Sequence, residues 1–130
     1  MSSLTREVEV YAVAARTATT TAALGMKVFQ YDGFHSAHIV IVVSAVTATP
    51  SVVPSLQGVD ALGNAYDVLV ATAITATGTT VLKIGPGLIA IAGGVAADFL
   101  PRRWRLLMTH ADTDSITYGV QAILFGGSNG

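Results

Sequence analysis

In the stretch RWRLLMT, residues 103–109, Trp104, Leu106 and Met108 alternate with Arg103, Arg105 and Leu107. A period of two belongs to a strand with one face in a core, because successive side chains leave a strand on opposite sides. The same rhythm runs through Ile116, Tyr118, Val120, Ala122 and Leu124. HADTDS, residues 110–115, lies between the two runs and is rich in turn formers, so they read as a hairpin over residues 103–109 and 115–125. A second hairpin is read in residues 53–73, with its turn at LGN, residues 62–64. HIVIVV, residues 38–43, is a continuous run suited to a central strand buried on both faces.

Residues 6–13, 26–31 and 79–84 are further strand candidates. About eight short antiparallel strands separated by Gly, Pro, Asn, Asp and Thr clusters predict an all-β chain, a single β-sandwich of jelly-roll type. Helical signals are poor. AVAARTATTTAA, residues 12–23, is read as an extended connection because its threonines disfavour a helix. Residues 88–100 leave room for one helical turn before Pro101. One domain is expected, with an N-terminal strand and extended arm over 1–23, a sandwich body over 24–125 and a flexible GGSNG tail over 126–130.

Such a sandwich has a surface problem. Apolar residues make up 52% of the 130 residues and charged residues only 12%, against roughly 25% charged in ordinary soluble domains. Positive mean hydropathy would suit a membrane protein, yet no apolar run approaches the ~18 residues of a spanning helix. Small polar residues cover some of the exterior weakly. Burial against copies or partners is expected to cover the rest. The net charge of −1 supplies no field toward nucleic acid or anionic lipid. The absence of cysteine excludes disulfides, thiolate metal sites and cysteine nucleophiles. MSSLTREVEV lacks a secretory apolar region, which predicts synthesis in the cytoplasm without export by a standard N-terminal signal.

No segment carries a catalytic or cofactor-binding signature. The nucleophile elbow, the zinc-protease helix and the phosphate loop are all missing, and GPG (85–87) and GG (93–94) lack dinucleotide spacing and read as tight turns. His35 and His38 fall on opposite faces of a strand, and His110 is remote in sequence, so polar strand-end histidines are preferred to a metal site. Asp112 and Asp114 resemble the start of a calcium loop without its glycine and distal glutamate, which favours a turn. Arg103 and Arg105 share the outward face of their strand. They read as a solvated pair or as a fork for carboxylates on a neighbouring subunit. The segment GPGLIAIAGGVAADFLP, residues 85–101, has two readings: another core strand, or a loop exposing Leu88, Ile89 and Ile91 as a contact patch.

Three stretches carry a family resemblance: TATGTTVLKIGPGL (75–88), LPRRWR (100–105) and the threonine-rich end containing DSITY (114–118). With PSLQGVDALGNAYDVL (54–69), this pattern resembles small structural proteins of tailed bacteriophages encoded among head and tail genes. Residues 6–23 match no part of it. The resemblance implies a non-enzymatic virion component that decorates or cements the capsid exterior. Its implied partners are the major capsid protein or other virion proteins and further copies of itself, with no nucleic acid, membrane or cofactor. Expected contacts are Arg103, Arg105, Leu88, Ile89, Ile91 and the N-terminal segment with Arg6 and Arg16. A tail or neck accessory role is one alternative. A glycan-binding sandwich is another, using Trp104, Tyr11, Tyr31, Tyr66 or Tyr118, although alternation turns Trp104 and Tyr118 inward.

Overall fold

The computed structural model describes residues 3–127. Nine strands follow in order: β1 Ser3–Arg16, β2 Phe29–Gln30, β3 Phe34–Val46, β4 Val52–Val59, β5 Ala65–Val70, β6 Gly78–Ile84, β7 Val95–Ala96, β8 Arg103–His110 and β9 Ile116–Gly127. They form one sheet of order β1-β9-β3-β6-β7 and a second of order β2-β8-β4-β5. Without the two-residue β7, the chain switches sheets at every connection except the β4–β5 hairpin, which gives two four-stranded sheets in the jelly-roll arrangement. The only helical element described is a 3-10 turn at Ala22–Leu24, and no described helix is long and apolar enough to cross a membrane.

Alternation along each strand builds the core. Trp104, Leu106 and Met108 project from β8 into the space between the sheets, where they meet Ile39, Ile41 and Val43 of β3 and Tyr118, Val120, Ala122 and Leu124 of β9. Leu56 of β4 and Leu82 of β6 complete this single buried layer. Phe29 stacks on Trp104 with ring centroids 4.8 Å apart, which gives the short β2 an aromatic anchor. Hairpin β4–β5 is present as expected, and Asp60 shapes its turn by accepting from Leu62 and Asn64 N–H, both at 2.8 Å. Those backbone donors hold the Asp60 carboxyl below its ordinary pKa.

Several sequence-based expectations are corrected. The runs at 103–109 and 115–125 do not form a hairpin: β8 pairs with β2 and β4, and β9 with β1 and β3, in opposite sheets. Both strands bury their apolar face in the same core from opposite sides. Residues 111–115 therefore cross the roughly 10 Å between sheets, tied to the neighbouring crossing by Ala111 N–H to the Ser51 carbonyl (3.0 Å) and Thr47 N–H to the Ser115 carbonyl (2.9 Å). The β-branched run in β3 is buried on one face only, since Val40 is half-buried and Val42 lies 46% exposed. Residues 88–100 hold no helical turn and no core strand; β7 instead lies parallel to β6, so the pairing is not uniformly antiparallel. Gly126 and Gly127 of the expected tail belong to β9, and residues 128–130 lie outside those described.

Tyr11 joins the two sheets. Its hydroxyl donates to the Leu106 carbonyl of β8 and lies 2.9 Å from Thr20 Oγ1. A phenol has one proton, so the threonine supplies the proton of that second contact. Thr20 Oγ1 also accepts from Met108 N–H at 3.0 Å, and Thr20 N–H donates to the Met108 carbonyl at 3.1 Å. The connection after β1 thus runs along the edge of β8. Tyr11→Phe keeps the ring but strands these buried groups, so it is expected to lower unfolding free energy by about 1–3 kcal/mol. Urea unfolding measures this, and a change below about 0.5 kcal/mol would show that the cross-sheet bond is energetically idle.

Candidate partner-binding surface

The connection from β6 to β8 carries four exposed large apolar side chains, more than any other connection described. Leu88 is 40% exposed, Ile89 86%, Ile91 59% and Phe99 64%. Its backbone is pinned, which keeps these residues from collapsing onto the core. Lys83 N–H donates to the Gly94 carbonyl (3.0 Å), Thr72 N–H to the Gly93 carbonyl (3.2 Å), and Leu100 N–H to the His35 carbonyl (2.9 Å). Leu100 is buried, so the segment is anchored at its end and raised in the middle. Gly93 has φ +78°, and a Cβ there would meet Thr72 Oγ1 at 2.2 Å, so glycine permits this docking.

A second uncovered apolar region lies on the outer face of the five-stranded sheet. Val40 pairs across to Val81, and Val42 to Gly119. Val13 covers Gly119, where an added Cβ would lie 2.5 Å from Val13 Cγ2. Val13, Val42 and Val81 are all exposed. Val13, Val40 and Val42, with Gln121 and Glu9, border a shallow groove of about 230 Å³. Sequence reading missed this face because β-branched runs suggest burial on both sides. Phe99 was missed because it stands alone beside Asp98.

The arginines expected at a partner contact are engaged within their own chain. Arg105 Nε donates to Gln57 Oε1 at 2.8 Å, and Gln57 Nε2 donates onward to Asp67 Oδ1 at 2.9 Å, a polar row across three strands. Arg103 donates to the Asp60 carbonyl at 3.2 Å. Arg6 lies over the Tyr31 ring, 4.4 Å from its centroid. Arg16 is folded back over Tyr118 and Tyr11, at 4.5 and 5.2 Å. It donates to the carbonyls of Ala12 (2.7 Å), Ala14 (3.2 Å) and Tyr118 (2.8 Å). Arg102 forms an ion pair with Asp32 at 2.6 Å, exposed on both sides.

Trp104, Tyr11 and Tyr118 are buried, Tyr31 sits beneath Arg6, and Tyr66 is the one exposed tyrosine, so these five residues form no shared aromatic platform toward solvent. Asp112 Oδ1 accepts from Asp114 N–H at 3.0 Å, and Asp114 Oδ2 accepts from Thr49 N–H at 3.2 Å, which makes this pair a turn. Among the described residues no three His, Asp or Glu side chains gather as metal ligands would. His38 packs edge-on against Phe125 (4.9 Å), and His35 contacts Ser36.

His110 Nε2 lies 3.1 Å from the Tyr118 hydroxyl. Burial holds the His110 pKa below its ordinary value, against the pull of Asp112 and with the push of Arg16. Burial also raises the Tyr118 phenol, which stays neutral. A histidine depressed in the fold is protonated more readily in the unfolded chain, so stability is full above about pH 6.5 and declines as pH falls below it. His110→Gln is expected to flatten that decline between about pH 7 and pH 5. Thermal unfolding across this range checks it, and parallel profiles for both proteins would contradict it.

No protein-family model and no curated protein matches the sequence. Among solved structures, the chain is similar to the SPBc2 prophage-derived protein YomS, with TM-score 0.56 and 13% identity over 97% of this chain and 96% of that one. It is also similar to a chain in the structure of infectious bursal disease virus Gx strain, with TM-score 0.51 and 11% identity. That match takes in 100% of this chain and 35% of the viral one. At these identities the likeness is one of fold.

Proposed function

We propose that this protein is a non-enzymatic structural component of a phage virion, binding the outside of the capsid shell and cementing it through contacts with the major capsid protein. The observation that carries this reading is the pinned projection bearing Leu88, Ile89, Ile91 and Phe99, with Asp98 its one charge, on a jelly-roll body. Side chains held outward by backbone bonds stay in water in the isolated chain, and a partner that covers them gains their burial. The jelly roll is an architecture shared by capsid proteins and lectins, and the fold likeness to a prophage-derived protein and to a virus structure supports the virion alternative. Burying one isoleucine contributes about 1.5–3 kcal/mol. Two such residues per copy, repeated around a symmetric shell, give a weak joint considerable strength.

Purified capsids carrying the protein are expected to survive heating and low salt better than stripped capsids. Ile89→Asp with Ile91→Asp is expected to reduce occupancy on stripped capsids at least tenfold while leaving the isolated chain's melting temperature within about 2 °C, because both side chains already lie in solvent. Equal survival of decorated and stripped capsids would remove the cementing role. Undiminished binding by the double variant would place the contact elsewhere.

A further inference from the structure

The outer face of the five-stranded sheet is apolar in the middle and charged at its margins, with opposite signs. Register lines up residues of β1, β9, β3 and β6 in rows across it. One row reads Glu7, Ile123, His38, Lys83, and the next reads Glu9, Gln121, Val40, Val81. A third reads Gly119, Val42, Thr79, with Val13 of β1 lying over the glycine. Between the margins, β9 and β3 contain no Asp, Glu, Lys or Arg. Both glutamates and the lysine are exposed, as are Val13, Val42 and Val81. The Lys83 backbone pairs with β7 within the sheet. Its side chain still leaves on the outer face, because it alternates with the buried Leu82 and Ile84.

Glu7 and Lys83 thus stand at the two ends of a single row. Consider two copies laid face to face about a two-fold axis that runs along the strands, midway between β9 and β3. Such an axis exchanges β1 with β6 and returns every row to itself. Glu7 of each copy then faces Lys83 of the other, with Glu9 diagonal to the same lysine. In the third row, Val42 of each copy lies over Gly119 of the other and beside the Val13 that flanks it. The missing side chain at Gly119 gives the projecting valine room. A two-fold axis across the strands would instead set β1 against β1 and β6 against β6, so that like charges meet. The placement of charge therefore selects one of the two symmetric arrangements.

We propose that two copies of this chain pair through the outer faces of their five-stranded sheets, Val42 of each packing on Gly119 of the other and Glu7 meeting Lys83 at both margins. This is an isologous contact, in which one patch is its own complement. Stacked sheets lie about 10 Å apart, a gap that a glutamate and a lysine side chain together span. Four strands about 4.8 Å apart and about nine residues of 3.4 Å make a face of roughly 20 by 30 Å. Two such faces hide about 1,200 Å², which clears the roughly 1,000 Å² expected of a specific interface. Because the axis follows the strands, both copies carry the β6–β8 connection at the same end, where it leaves the sheet at Gly85 beside Ser36. The dimer would therefore present its two projections to one surface and bind it bivalently. The dimer stands on register and charge, and only this bivalent use rests on the capsid role proposed above.

Light scattering on the purified full chain at up to about 0.1 mM is expected to show a dimer, since contacts of micromolar affinity are saturated there. Glu7→Lys with Glu9→Lys in one variant, and Lys83→Glu in another, are each expected to weaken dimerisation about tenfold. All three substitutions in one chain should restore it, because the charges are then exchanged at both margins. Val42→Lys is expected to give a monomer with an unchanged circular dichroism spectrum, as this side chain already lies in solvent. A monomeric wild type would overturn the proposal, as would a dimer indifferent to Val42→Lys, charge-reversed variants that pair like wild type, or a triple variant that pairs no better than they do. A dimer that ignores stripped capsids leaves this contact standing and removes the capsid role. A wild-type monomer that binds them does the reverse.

Discussion

One layer of apolar side chains, shared between two sheets, holds this protein together. Each long strand turns alternate residues into that layer, and Trp104, Leu106, Tyr118, Ile39 and Ile41 are almost wholly withdrawn from water there. A two-layer sandwich has no third layer with which to hide its outer faces. With charged residues at only 12%, those faces are clothed in threonine, alanine, glycine and bare valine. The exposed valines on the outer sheet face and the raised segment between β6 and β8 follow from the same constraint.

Polar groups inside the sandwich are concentrated around the start of the chain. Tyr11 reaches from one sheet to the backbone of the other, Thr20 extends β8, and Arg16 lies over two tyrosine rings while capping strand carbonyls. These contacts tie β1 and the connection after it into the body. They also blunt half of an edge that would otherwise be open along its whole length, a common defence against indiscriminate strand pairing. The remaining half carries Glu7 and Glu9, charges that discourage indiscriminate pairing.

What was legible in the sequence was local. Alternation at Trp104, Leu106 and Met108 correctly assigned inside and outside, and LGN at residues 62–64 correctly marked the β4–β5 turn. Turn chemistry at residues 110–115 showed that the chain bends. It carried no information about whether the next strand joins the same sheet or the opposite one, because both choices bury the same side chains. The valines of β3 reflect strand preference as much as burial, so Val42 was read as core although it faces out. The exposure of Leu88, Ile89 and Ile91 was visible as one of two readings, and the backbone bonds that decide between them join residues distant in sequence. Arg16 gains its place over Tyr11 and Tyr118 from topology alone.

Cryo-electron microscopy of particles containing this protein tests the central claim directly. The account predicts jelly-roll density on the shell, with Ile89 and Ile91 seated against a neighbouring chain and little of the valine-bearing face open to water. Density showing those residues pointing into solvent, with the sandwich touching its surroundings elsewhere or lying apart from the shell, would contradict it.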